Sequence, residues 1–104
     1  MALPKHETKA VAGSVVSPAT TVATLQNQGS DAVLMSTTAD IYFTVDGVTT
    51  PAVGAGAEVG TLLRSTDLGI ILTPEEFGNL KMLDVSTDAR VQFEFLSGDR
   101  HRVL

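Results

Sequence analysis

The chain has 104 residues, no cysteine, 18% charged residues and a net charge of −5, with a mean hydropathy of +0.20. Its length sets one domain, the missing cysteines exclude a disulfide framework or a cysteine-bound zinc, and the acidic balance argues against nucleic acid, whose phosphates need clustered Lys and Arg. No apolar run approaches the ~20 residues that span a bilayer, and so few charges imply that part of the surface is buried against other subunits.

Met1 to Lys9 is polar, contains Leu3 and Pro4, and reads as a mobile N-terminal arm. It has no continuous apolar stretch of the kind a Sec signal needs, so synthesis in the cytoplasm is expected. Residues 10 to 104 then form a single domain. Ala10 to Ser17 is small and β-branched and ends at Pro18. Thr20 to Asn27 alternates with a period of two and predicts a strand. Gln28 to Asp31 supplies a turn, and Ala32 to Thr37 returns as the second strand of a hairpin. Both faces of that hairpin are only half apolar, which suits a sheet with core on one side and a protein neighbour on the other.

Ile41 to Val45 predicts a further strand, and Asp46-Gly47 carries the strongest hairpin signal, that of a type I′ turn. Val48 to Gly60 (VTTPAVGAGAEVG) is too rich in Gly and Pro for a helix. It reads as a long loop, either exposed or laid against another surface. Thr61 to Ser65 and Leu68 to Thr73 predict short strands. Pro74 to Phe77 predicts one helical turn capped by Thr73, with Pro in the first position and Glu75-Glu76 at the positive end of the helix dipole. Asn79 to Val85 and Arg90 to Leu96 are the last strands. In the second, Val91, Phe93 and Phe95 point to the core, and Arg90, Gln92 and Glu94 point away. Seven or eight short strands with Gly, Asp and Asn turns predict an all-β fold, an antiparallel β-sandwich of jelly-roll-like or Ig-like kind.

No constellation carries chemistry. His6 and His101 lie in opposite terminal segments without a partner for metal binding or proton transfer. Glu75 and Glu76 diverge by about 100° on a helical turn and do not form a carboxylate pair. Asp31, Asp40 and Asp46 have turn spacing rather than the spacing of a calcium loop. Gly54-Ala55-Gly56 lacks the strand-loop-helix setting of a phosphate loop. The expectation is no enzyme, no cofactor and no metal. Among neighbours Tyr42 and Phe43 one points inward and the other outward, and an exposed aromatic binds a sugar or a protein partner. Arg100-His101-Arg102 forms a basic tip, a solubilising tail or a docking contact.

The segment VATLQNQGSDAVLMST, the Gly/Ala-rich loop GAGAEVG and the late strand ARVQFEFL together resemble small β-sandwich virion proteins of tailed bacteriophages. The resemblance runs from about Thr21 to Leu96. It implies a structural protein on the outer surface of the virion capsid: a head decoration, or cement, protein that binds the major capsid protein, groups with itself as a homotrimer and stabilises the shell. Neither nucleic acid nor membrane is then a partner. The alternative within the same resemblance is a head-fibre, spike or tail component acting as a receptor- or carbohydrate-binding module. Candidate assembly contacts are Leu3 and Pro4 in the arm, Tyr42, and Arg100 and Arg102 at the basic tip. The acidic first half and basic tip leave open which end faces the shell.

Overall fold

A computed structural model describes residues 6–97. Among the described residues seven strands follow one another: β1 (His6–Val11), β2 (Ala32–Thr37), β3 (Ile41–Thr44), β4 (Thr61–Leu63), β5 (Ile70–Leu72), β6 (Lys81–Asp84) and β7 (Ala89–Leu96). They form two sheets, one of four strands in the order β1-β7-β2-β5 and one of three in the order β4-β3-β6. Every pairing is antiparallel. The all-β antiparallel sandwich expected from the sequence is what the chain forms. Two short helices complete it, α1 (Val22–Asn27) and α2 (Pro74–Gly78).

The core is organised by β7. Its alternation buries Val91, Phe93 and Phe95 and turns Arg90 and Gln92 outward. On β2 the same inner face carries Val33 opposite Phe95 and Met35 opposite Phe93, and both are fully buried. The three-stranded sheet closes over them with Ile41, Phe43, Leu63 and Met82. Phe77 from α2 packs edge-on against two rings of β7, 5.1 Å from Phe93 and 5.6 Å from Phe95, the arrangement aromatic quadrupoles favour. A capping box places that ring. The Thr73 hydroxyl accepts from the Glu76 N–H at 3.1 Å, and the Glu76 carboxylate accepts from the Thr73 N–H at 2.8 Å.

Three expectations are corrected. The first is the opening hairpin: Val22–Asn27 is helix α1, not a strand. The Thr21 side chain accepts from the Thr24 N–H and caps it. Val22 and Leu25, three residues apart, then face the protein together, with Leu25 fully buried. The apolar period that matters is three, and tertiary burial overrides the β-preference of Thr and Val. Gly29, at φ 75°, ends the helix in a Schellman turn, with Ser30 N–H donating to the Leu25 carbonyl and Gly29 N–H to that of Gln26. The two helices touch where Gly78 meets Val22; a Cβ at residue 78 would come within 2.5 Å of the Val22 Cγ2.

The second correction concerns the arm. His6–Lys9 belong to β1 and pair with β7, His6 opposite Glu94 and Lys9 opposite Val91. Ala10 and Val11 complete β1, and Val16 makes an isolated bridge to Met82 of β6. The polar composition that suggests an arm is that of an edge strand, where charge protects the open side. Glu7 also anchors the segment that leads into α1, because its carboxylate accepts from the Ala19 and Thr20 N–H groups at 2.7 and 3.0 Å. Met1–Lys5 lie outside the described residues.

The third is the Asp46-Gly47 turn. Gly47 has φ 76°, but no described non-glycine residue has positive φ, so the type I′ geometry, which needs both, is not formed. Strand β3 leads instead into the long 45–60 connection, within which Ala52 bridges Val59. Its partner β4 begins only at Thr61.

Two outcomes follow. Phe77→Ala should lower unfolding free energy by about 3–5 kcal/mol, read from the urea midpoint at unchanged slope. Removal of residues 1–9, which deletes most of β1 and the Glu7 clamp, should also lower that midpoint; an unchanged midpoint would make the edge strand dispensable.

Candidate functional site

The outward face of the four-stranded sheet holds an open concavity. Because residues directly opposite one another share a face, the register builds rows across it. One row runs His6, Glu94, Leu34, Ile71 over β1, β7, β2 and β5. The next runs Thr8, Gln92, Ser36. Between them lies an open trough of about 600 Å³, lined by His6, Thr8, Leu34, Ser36, Gln92 and Glu94. Its β1–β7 side offers an imidazole, a carboxylate, an amide and a hydroxyl, and its β2 side adds the Leu34 side chain and the Ser36 hydroxyl. Ser36 and His6 stand two strands apart, about 10 Å, beyond the reach of a nucleophile–base pair. The trough presents hydrogen-bonding and apolar groups on one open face.

The contacts predicted from sequence are not brought together there. Tyr42 lies on the other sheet, half-buried at the centre of an outward row with Leu62 of β4 on one side and Leu83 of β6 on the other. Leu3, Pro4, Arg100 and Arg102 lie outside the described residues. The trough row is partly legible in the sequence, since the alternation of β7 already puts Gln92 and Glu94 on the outside. The strands bringing His6 and Leu34 beside them are not, because nothing local sets that register.

Several acidic residues are engaged in backbone geometry. The Asp40 carboxylate accepts from the Ser65 N–H at 3.0 Å, and that of Asp84 from the Gly13 N–H at 2.7 Å. Asp46 accepts from the Val48 and Thr49 N–H groups at 2.9 and 2.8 Å and from the Thr49 hydroxyl. The Thr49 hydroxyl, followed by those two N–H groups, holds the Asp46 carboxyl down from the ordinary 3.8 to about 2. Among the described residues no cluster of His, Asp and Glu is arranged to hold a metal ion. No helix among them is long and apolar enough to cross a membrane.

No protein-family model matches the chain, and neither a curated protein nor a solved structure matches it. What defines the class is its own architecture: a small all-β sandwich of two antiparallel sheets.

The Asp46 loop gives a test with a definite sign. A carboxyl depressed in the folded state contributes stability that is present above its unfolded value and lost as pH falls through the folded one. Amide exchange at Val48 and Thr49 should therefore quicken as pH drops from 3.8 toward 2, after correction for intrinsic exchange. Thr49→Val should move the Asp46 titration, followed by NMR, back toward the ordinary value. A wild-type Asp46 that already titrates there would refute the assignment.

Proposed function

We propose that this protein is a non-enzymatic structural module that binds the outer surface of a larger protein assembly, and that the assembly is a tailed-bacteriophage capsid on which it acts as a decoration, or cement, protein. The observation that carries the first step is the pairing of a well-filled core with large apolar side chains left in solvent. Val11, Val33, Met35, Ile41, Met82 and Val91 are fully buried, yet Leu68 is 98% exposed, Val48 83% and Ile71 58%. On this reading those exposed aliphatic side chains are contact surface that a protein partner covers.

The second step, to the capsid, is supported by the sequence resemblance. Its β2 segment, its GAGAEVG loop and its ARVQFEFL strand lie in β2, the 45–60 connection and β7. Its TLQN segment lies in helix α1 rather than in a strand. The partners on this reading are the major capsid protein and further copies of the chain, at the virion surface.

A second reading, a receptor- or carbohydrate-binding module, draws on the outward row Leu62, Tyr42, Leu83. A phenol flanked by leucines is the described feature nearest to a sugar platform.

Co-sedimentation with purified phage shells tests the first reading: the protein should pellet with shells and raise the temperature at which they release DNA. A variant lacking Met1–Lys5 keeps β1 whole and asks whether Leu3 and Pro4 dock; shell affinity should fall while the circular dichroism spectrum stays as in the wild type. Absence of shell binding together with a glycan-array signal abolished by Tyr42→Ala would decide for the second reading.

A further inference from the structure

Asp46-Gly47 is the only Asp-Gly pair in the chain, and there is no Asn-Gly. Both residues are exposed, just beyond the end of β3. An aspartyl side chain followed by glycine can close onto its own backbone, because the next residue has no Cβ to hinder approach to its nitrogen. The fold holds both residues in place. Gly47 sits at φ 76°, where a side chain strains the backbone, and a Cβ there would meet the Asn79 Oδ1 at 3.0 Å. Asp46 closes the turn as its acceptor. Its Oδ1 takes the Val48 and Thr49 N–H groups, and its Oδ2 takes the Thr49 hydroxyl. The turn therefore requires the one dipeptide of the chain that is most open to cyclisation.

We infer that the Asp46–Gly47 peptide bond is a site of spontaneous isoaspartate formation, and that the Thr49 clamp sets its rate. The reacting form of Asp46 is the neutral acid. The Gly47 nitrogen attacks its Cγ: the N–Cγ bond forms, the Cγ–OH bond breaks, the nitrogen gives up its proton, and one water leaves. The product is a cyclic imide, which water then opens at either carbonyl. Addition at Cγ breaks the N–Cγ bond and restores aspartate. Addition at the Asp46 backbone carbonyl breaks the original C–N bond and leaves isoaspartate, with Gly47 joined through Cγ. Water is the only co-reactant.

The clamp opposes the first of these steps. Cyclisation expels one carboxyl oxygen, and both oxygens are engaged, so contacts to Val48 and Thr49 must be lost on the way. Those contacts also keep the carboxyl ionised. Its fall from 3.8 to about 2 thins the neutral acid by roughly tenfold to a hundredfold. Isoaspartate would add a carbon to the main chain and shorten the acidic branch, so the acceptor no longer meets its two N–H donors. The site stands apart from the capsid reading and does not depend on it.

Ageing of the full chain at neutral pH tests the inference, with isoaspartate quantified by enzymatic methyl transfer from labelled S-adenosylmethionine and placed by peptide mapping. Isoaspartate should collect at residue 46, about tenfold to a hundredfold more slowly in the native protein than in the same chain unfolded in urea. Thr49→Val, which removes the hydroxyl and keeps both N–H donors, should speed it severalfold. Thr49→Ser, which keeps the hydroxyl, should age like the wild type. The urea comparison needs no variant and decides the matter should Thr49→Val fail to fold. A native chain that ages as fast as the unfolded one would overturn the inference. So would a folded Thr49→Val no faster than the wild type, an unfolded chain without isoaspartate at residue 46, or isoaspartate that collects first at another aspartate.

Discussion

The structure depends on β7 being flanked on both sides. It is the longest strand, and β1 and β2 pair along it from opposite edges. Its inward side chains, Val91, Phe93 and Phe95, receive the residues of β2 and the ring of Phe77. With a side-chain period of two, a slip of one residue along β7 would carry all three core groups to the solvent face and Arg90, Gln92 and Glu94 inward. The cost of burying those polar groups without partners is what holds the register. The rows of the outer face follow from the same constraint, so the trough is a by-product of how the core is paired.

This also explains which parts of the fold are legible in the sequence. The strand Arg90–Leu96 announces itself because its alternation reflects burial on one face, and Ala32–Thr37 does so as a short apolar run returning from a turn. The turn at Thr73 to Phe77 does so because capping is local chemistry, carried by Thr73, Pro74 and Glu76. Val22–Asn27 reads wrongly as a strand because the residues that make it a helix, Leu25 and Val22, act through contacts with the core and with Gly78, and a run of threonine and valine conceals a period of three. The sequence does hold a pointer: Thr21 as a cap and Gly29 as a stop bracket the segment. His6–Lys9 reads wrongly as an arm because an edge strand chosen to resist pairing looks, residue by residue, like a solvated tail. The long connection after Asp46 shows a further limit. An Asp-Gly pair favours reversal, but whether the chain turns at once depends on which strand is free to receive it.

At the candidate site the same division holds. Periodicity places Gln92 and Glu94 outward, whereas His6, Leu34 and Ile71 join them only through long-range register. Asp31, Asp40 and Asp46 read as turn residues. For Asp40 and Asp46 the hydrogen bonds to backbone N–H groups give that assignment its physical content, fastening loops to the ends of the sheets. The chain uses several of its acids as structural acceptors, which removes them from the pool that could serve a catalytic or metal-binding purpose.

The adjacency of β1 and β7 has a mechanical consequence. The described chain begins at His6, opposite Glu94, and its last strand ends two residues further on, at Leu96. Tension applied across those two points would pull neighbouring antiparallel strands apart from the same end, breaking their hydrogen bonds one after another rather than all at once in shear. A load path through His6 and Leu96 would unzip β1 from β7 at low force. If the protein reinforces anything under strain, the force must enter through its faces and loops, and the strand ends must be spared.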